Sequence, residues 1–147
     1  MSRTEPTRVL ATMVADLFHY GHVNFLREAR ALGDHLTVGL ITDRHAASYK
    51  RHPILTYEER RAVVQACRYV DEVIELEEDT TDDSMKAHGF QICAYAVASD
   101  EEEARYRAIL WKIVDPAYFH RISYTSGIST SAVIDRILSR RDLQRID

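Results

Sequence analysis

Apolar positions along this chain follow two rhythms. Short apolar runs alternate with stretches in which apolar residues recur every three or four positions. The run RVLATMV predicts a first strand over residues 8–14. From about Gly21, Val23, Leu26, Ala29 and Leu32 recur near a helical period, and Gly33 reads as the C′ residue that ends the helix. LTVGLIT predicts a second strand over 36–42, and residues 43–55, broken by Pro53, read as loop. Thr56 and Glu59 have capping-box spacing and open a helix expected to bury Val63, Val64 and Cys67. Further strands are predicted over 70–76, 91–97 and 118–123. Helices are predicted over 84–88 and 101–112, and from about Ser129, where Val133, Ile134, Ile137 and Leu138 share a face. The acidic connector 77–83 reads as solvated surface.

Strands alternating with helices imply a parallel sheet covered on both faces. The expected fold is therefore α/β, a Rossmann-like doubly wound five-stranded parallel sheet, in a single domain spanning residues 1–147. Ligands of such sheets bind at the carboxyl ends of the strands. That directs attention to the loop after the first strand and the loop before the last helix. Composition narrows the classes further. With 19 basic and 23 acidic residues the formal charge is −4, which argues against a dedicated nucleic-acid binder. No apolar run approaches the ~18 residues that span a membrane, and residues 1–8 lack the apolar core of a secretory signal. Cys67 and Cys93 are isolated in apolar segments and read as buried thiols, so a cytoplasmic location is expected.

The first loop carries Asp16-Leu17-Phe18-His19-Tyr20-Gly21-His22. Two imidazoles flank a glycine at the mouth of a helix, where free N–H groups and the positive end of the dipole favour an anion. This makes a phosphate site without the Walker pattern. Incidental surface histidines, or a pair of metal ligands, stay open on the residues alone. The second loop, Tyr124-Thr125-Ser126-Gly127-Ile128-Ser129-Thr130-Ser131, holds more hydroxyls than one helix cap needs. A second anion site and simple capping are both compatible with it. Lys50-Arg51-His52 is a small cationic cluster, or else a solvated loop.

His19-x-Gly21-His22 together with Gly127-Ile128-Ser129-Thr130-Ser131 closely resembles the cytidylyltransferase family of the HxGH nucleotidyltransferases. Phe25 to Asp34, Thr42-Asp43, Lys50, Glu59-Arg60 and Arg68 to Ile74 fall in that family's order and spacing. The resemblance covers residues 8–139. It implies an enzyme that transfers CMP from CTP to a small phosphorylated alcohol or phosphonate, releasing pyrophosphate and forming a CDP-alcohol. The other readings are an adenylyl-transferring relative using ATP and a nucleotide-binding module with degenerate catalysis.

By the same resemblance His19, His22 and Lys50 are catalytic. Val14, Ala15, Gly21, Asp100, Thr125, Gly127, Ile128, Ser129 and Thr130 bind the nucleotide. Asp16, Asp43, Arg60 and Arg68 bind or orient the substrate. Arg60 and Arg68 lie eight apart, and pairing with Glu58, Asp71 or Glu72 is their alternative. Mg²⁺ is expected to be carried by the nucleotide and not by side chains. A homodimer is implied, with Phe18 and Tyr20 as candidate contacts. Three positions depart from the family pattern. Met13-Val14-Ala15-Asp16 replaces Gly-x-Phe-Asp, Ala98-Ser99-Asp100 replaces Gly-x-Asp, and Tyr124 replaces an arginine, for which Arg121 is a candidate substitute. Trp111 is expected to lie in a helix and pack in the core, with an aromatic cage for an amine as its other reading.

Overall fold

β1, Arg8–Met13, occupies the middle of the sheet because both of its faces are apolar. Val9, Ala11 and Met13 enter one core layer and Leu10 the other. β1 pairs in parallel with β2, His35–Ile41, and with β4, Ile92–Ala96. β2 pairs with β3, Glu72–Leu76, and β4 with β5, Phe119–Ile122. The order is β3-β2-β1-β4-β5, parallel throughout. The structure, a computed structural model, describes residues 4–109 and 111–144. The reading of residues 1–8 falls partly outside that range, as does Leu110 of the helix expected over 101–112.

α1, Tyr20–Arg30, and α3, Tyr57–Ala66, cover one face of the sheet. Leu26 and Ala29 of α1 and Val64 of α3 pack there with Val9, Leu36, Val38 and Leu40. α4, Asp82–His88, covers the other face, where Met85 packs with Leu10, Phe90, Cys93 and Ile113. α5, Asp100–Ile109, follows β4, and α6, Thr130–Ser139, follows β5. Sheet growth reverses between β1 and β4. A crevice therefore opens at the carboxyl ends of these two strands, the usual place for a ligand in a doubly wound sheet.

Several local expectations are corrected. Residues 43–55 are not all loop: Thr42 accepts a hydrogen bond from His45 N–H and caps a short helix α2, Asp43–Ala47. α1 ends at Arg30 with Ala31 as a right-handed cap, so Gly33 is not a left-handed C′ residue. It is required by close approach, since a Cβ there would stand 2.7 Å from the Thr7 carbonyl oxygen. Thr56 caps α3 by accepting from Glu59 N–H, so the forward half of the capping box forms. Val63 is 41% exposed, because the inward stripe of α3 is Arg60 and Val64, one turn apart. Cys67 is only half-buried. α5 stops at Ile109, and Lys112 instead bridges to Thr81. In the connector 77–83, Asp79 holds His45, and Asp82 accepts from the amides of Val114 and Asp115. The face of α6 is only half covered, with Leu138 68% exposed. Among the described residues no helix is long and apolar enough to cross a membrane.

Candidate active site

The start of α1 fixes both imidazoles by purely local bonds. His19 is the N-cap, in extended conformation. Its Nδ1 accepts from Gly21 N–H at 3.1 Å, while His22 Nδ1 accepts from His19 N–H at 3.1 Å. A neutral imidazole whose Nδ1 accepts must carry its proton on Nε2. Both rings thus present an Nε2–H donor, and their centroids are only 3.9 Å apart. His19 Nε2 is buried without a protein partner, so a ligand atom is the natural acceptor for it. His22 is pushed down to about 4, first by burial and then by the neighbouring His19 and Lys50. Burial also lowers His19. The pair is therefore neutral at pH 7 and acts through dipoles, not charge. Gly21 is dictated by this packing: a Cβ would lie 2.9 Å from His19 Cε1 and 3.1 Å from Ile128 Cγ2.

The loop ahead of them is held by residues expected to meet substrate. Asp16 is buried, and its two carboxylate oxygens accept from Ile54 N–H at 2.8 Å and Leu55 N–H at 2.9 Å. It lines the crevice but works as a clasp on the loop that carries Lys50. Ala15 and Leu17 on either side take left-handed φ values of 56° and 50°, which costs each of them about 1–2 kcal/mol.

Arg60 is 0% exposed. It donates to the carbonyls of Val14 at 2.6 Å, Ile41 at 2.9 Å and Leu55 at 3.3 Å, and to Asp43 Oδ1 at 2.6 Å. With these donors engaged and no exposed surface, Arg60 acts with Asp43 as scaffold beneath the site. Arg68 also stands apart from the histidines' crevice. It lies over the ring of Tyr69. Asp100 pairs with Arg121 at 2.6 Å, outside the wall.

The hydroxyl-rich turn does converge on the histidines. Thr130 Oγ1 donates to the Asp16 carbonyl at 2.9 Å, and Asn24 Nδ2 donates to Thr125 Oγ1 at 3.3 Å. Ser129 caps α6 by accepting from Ala132 N–H. Gly127 adopts φ 82° with nothing near its absent Cβ, so conformation alone demands glycine. It shapes the turn from outside the crevice wall. Much of the hydroxyl excess is thus latching, and the anion-binding capacity rests on the amides at the start of α6.

The crevice measures about 640 Å³. Its wall brings together Val14, Ala15, Asp16, His19, Gly21, His22 and Lys50 with Thr125, Ile128, Ser129 and Thr130. Lys50 stands exposed at the rim, with its ammonium held below the usual range by desolvation and then by Arg51.

Sequence reasoning missed Tyr49, Tyr95, Glu102 and Tyr106, which also line the wall together with Arg51 of the cationic cluster. Tyr95 lies near the end of β4 and the others follow β2 or β4, and that position is the only signal the sequence offered. Trp111 corrects an expectation: it lies beyond α5, not in it, and not in the core. With Tyr49 and Tyr95 it separates the crevice from an adjoining cavity of about 90 Å³. There Trp111 meets Phe119 at 5.1 Å and Tyr95 at 4.8 Å, and Thr80 Oγ1 lacks a partner.

Fold and crevice together define an α/β domain of the doubly wound kind. The chain belongs to the cytidylyltransferase-like family, whose pattern matches residues 14–136. It is 36% identical to the ethanolamine-phosphate cytidylyltransferase of Dictyostelium discoideum, covering 91% of this chain and 37% of that one. The mouse (Mus musculus) ethanolamine-phosphate cytidylyltransferase is 34% identical, with coverages of 84% and 30%. The mouse choline-phosphate cytidylyltransferase A is 34% identical, with coverages of 95% and 40%. The chain therefore spans two-fifths or less of the length of these relatives. Among solved structures, the lipopolysaccharide core biosynthesis protein from Thermoplasma volcanium GSS1 superposes with a TM-score of 0.63. It is 28% identical and covers 82% of this chain and 99% of its own.

Proposed function

We propose that the chain transfers CMP from CTP to a small phosphorylated alcohol or phosphonate. The observation that carries this reading is the pair of free Nε2–H donors at the start of α1, facing the first turn of α6 across one crevice. A phosphate oxygen of the acceptor attacks the α-phosphorus and forms the new P–O bond. The bond from the α-phosphorus to the bridging oxygen breaks, and pyrophosphate leaves with that electron pair. The acceptor dianion needs no base, so the protein's work is positioning and charge stabilisation. His19 and His22 donate to oxygens on which charge grows, Lys50 supplies a cation from the rim, and the amides of α6 hold the outgoing phosphates.

Mg²⁺ fits as an ion carried by the triphosphate, since both oxygens of Asp16, a carboxylate of the crevice wall, already accept backbone bonds. When bound it neutralises developing phosphate charge.

The adjoining cavity suits the acceptor's alcohol end, because it shares a wall with the crevice and is lined by aromatic rings. The relatives' names favour cytidylyl over adenylyl transfer and an amino-alcohol acceptor. The proposal includes a homodimer, for which Tyr20, 56% exposed beside the site, is the contact. Phe18 packs against the core instead. A one-chain mass by light scattering would remove the dimer.

The test is a panel of CTP and ATP against phospho-alcohols and phosphonates with Mg²⁺, read by pyrophosphate release. Release with CTP and one acceptor class is expected. Release with ATP alone would replace the reading by adenylyl transfer. Nucleotide binding with no release under any pairing would leave a binding module.

A further inference from the structure

The two sides of the crevice mouth meet through a side chain that the proposed chemistry has not used. Arg51 follows Lys50 on the exposed loop and lines the crevice. Its Nη1 donates to Ser131 Oγ at 3.2 Å, in the first turn of α6. No carboxylate stands within ion-pair distance of it among the described residues. A guanidinium offers five donors in a flat fork, and one is engaged. It is thus an uncompensated cation beside the start of a ten-residue helix.

The other arginines near this mouth stand outside the crevice wall. Arg121, the candidate substitute at this end of the site, pairs with Asp100 at 2.6 Å and Glu103 at 3.6 Å and is not part of the wall. Arg136 donates to the Gly127 carbonyl at 3.2 Å. Tyr124, 46% exposed, lines the wall without charge. Lys50 and Arg51 stand as adjacent like charges, and Arg51 is one cause of the depressed Lys50 ammonium. An anion between the loop and α6 relieves that repulsion.

We propose that Arg51 is a phosphate-binding residue of this site, gripping the outer phosphates of a nucleoside triphosphate against the first turn of α6. This rests on the triphosphate reading above and adds the side chain that takes the outer phosphates. The guanidinium comes from the loop after β2 and not from the end of β5. Arg51 swings from Ser131 Oγ to phosphate oxygens, leaving that hydroxyl free to donate as well.

The test is calorimetric titration of the whole chain with CTP, CMP and inorganic triphosphate, with Mg²⁺ and no acceptor. Arg51→Ala should weaken CTP and triphosphate by about 10- to 100-fold, the loss of a hydrogen bond to a charged group. CMP, which lacks the outer phosphates, should change by less than about 3-fold under the same argument. Arg51→Lys should recover part of the loss, and Tyr124→Arg in the Arg51→Ala background should recover more. The melting temperature of each variant, read by circular dichroism, confirms folding. Equal weakening of CTP and CMP, or no change with either triphosphate, overturns the assignment. Wild-type protein that binds triphosphate but not CTP sinks the nucleotide reading alone, and Arg51 is then judged on triphosphate. Wild-type protein that binds neither overturns both.

Discussion

Replacing Arg60 with methionine separates a scaffold role from a substrate role, because the two predict opposite outcomes. The guanidinium is fully buried and satisfies the carbonyls at the ends of β1 and β2, Val14 and Ile41, together with Leu55 and Asp43. Methionine fills similar volume and donates nothing. Three carbonyls then lose a donor, and each buried unsatisfied group costs about 1–3 kcal/mol. Asp43 is 32% exposed at its side chain, so water recovers part of its loss. The net cost is about 3–5 kcal/mol, the range for breaking a buried charged pair. For a chain of this length that lowers the melting temperature by roughly 10 °C. Arg60→Lys keeps the charge without the fork and should fall between. Urea and thermal unfolding, followed by circular dichroism, give the measurement. A melting temperature within about 2 °C of wild type, with acceptor affinity lost, would refute the scaffold argument and restore Arg60 to the substrate.

Other consequences are read by pH, rate or packing. Burial depresses His22 to about 4 from the ordinary imidazole value of 6.5, so below pH 6.5 the unfolded chain takes a proton that the folded chain refuses. That contribution is present above pH 6.5 and is lost as pH falls toward 4. His22→Asn should flatten the stability slope across this window, and unchanged slopes would contradict the burial argument. Gly21→Ala places a methyl against the His19 ring and Ile128, and should lower turnover about 10-fold, as for a displaced donor, while Gly127→Ala acts on stability alone, by about 1 kcal/mol. Equal effects at the two glycines would contradict the distinction. Lys50→Ala should reduce turnover by ~10²-fold with little change in melting, because the residue is exposed; unfolding of that variant would show that Lys50 is structural.

The parts of this protein that were legible in its sequence are those set over short chain distances. Strands and helices follow apolar period, and the histidine geometry follows from bonds spanning three residues, so His19, Gly21 and His22 read correctly as one unit. Pairs far apart in sequence were not legible. Arg60 looked like a substrate arginine until the fold brought Val14, Ile41 and Asp43 around it, and Arg121 looked available until Asp100 took it. Trp111 left the core for a wall shared with Tyr49, from the segment after α2, and Tyr95, from β4. Likewise Arg51 acquires meaning from Ser131, eighty positions away. Which residues can bond a phosphate is written along the chain, since donors, turn residues and helix starts are local properties. Which of those donors remain free is set by long-range packing, because a donor's availability depends on every acceptor the fold brings within reach.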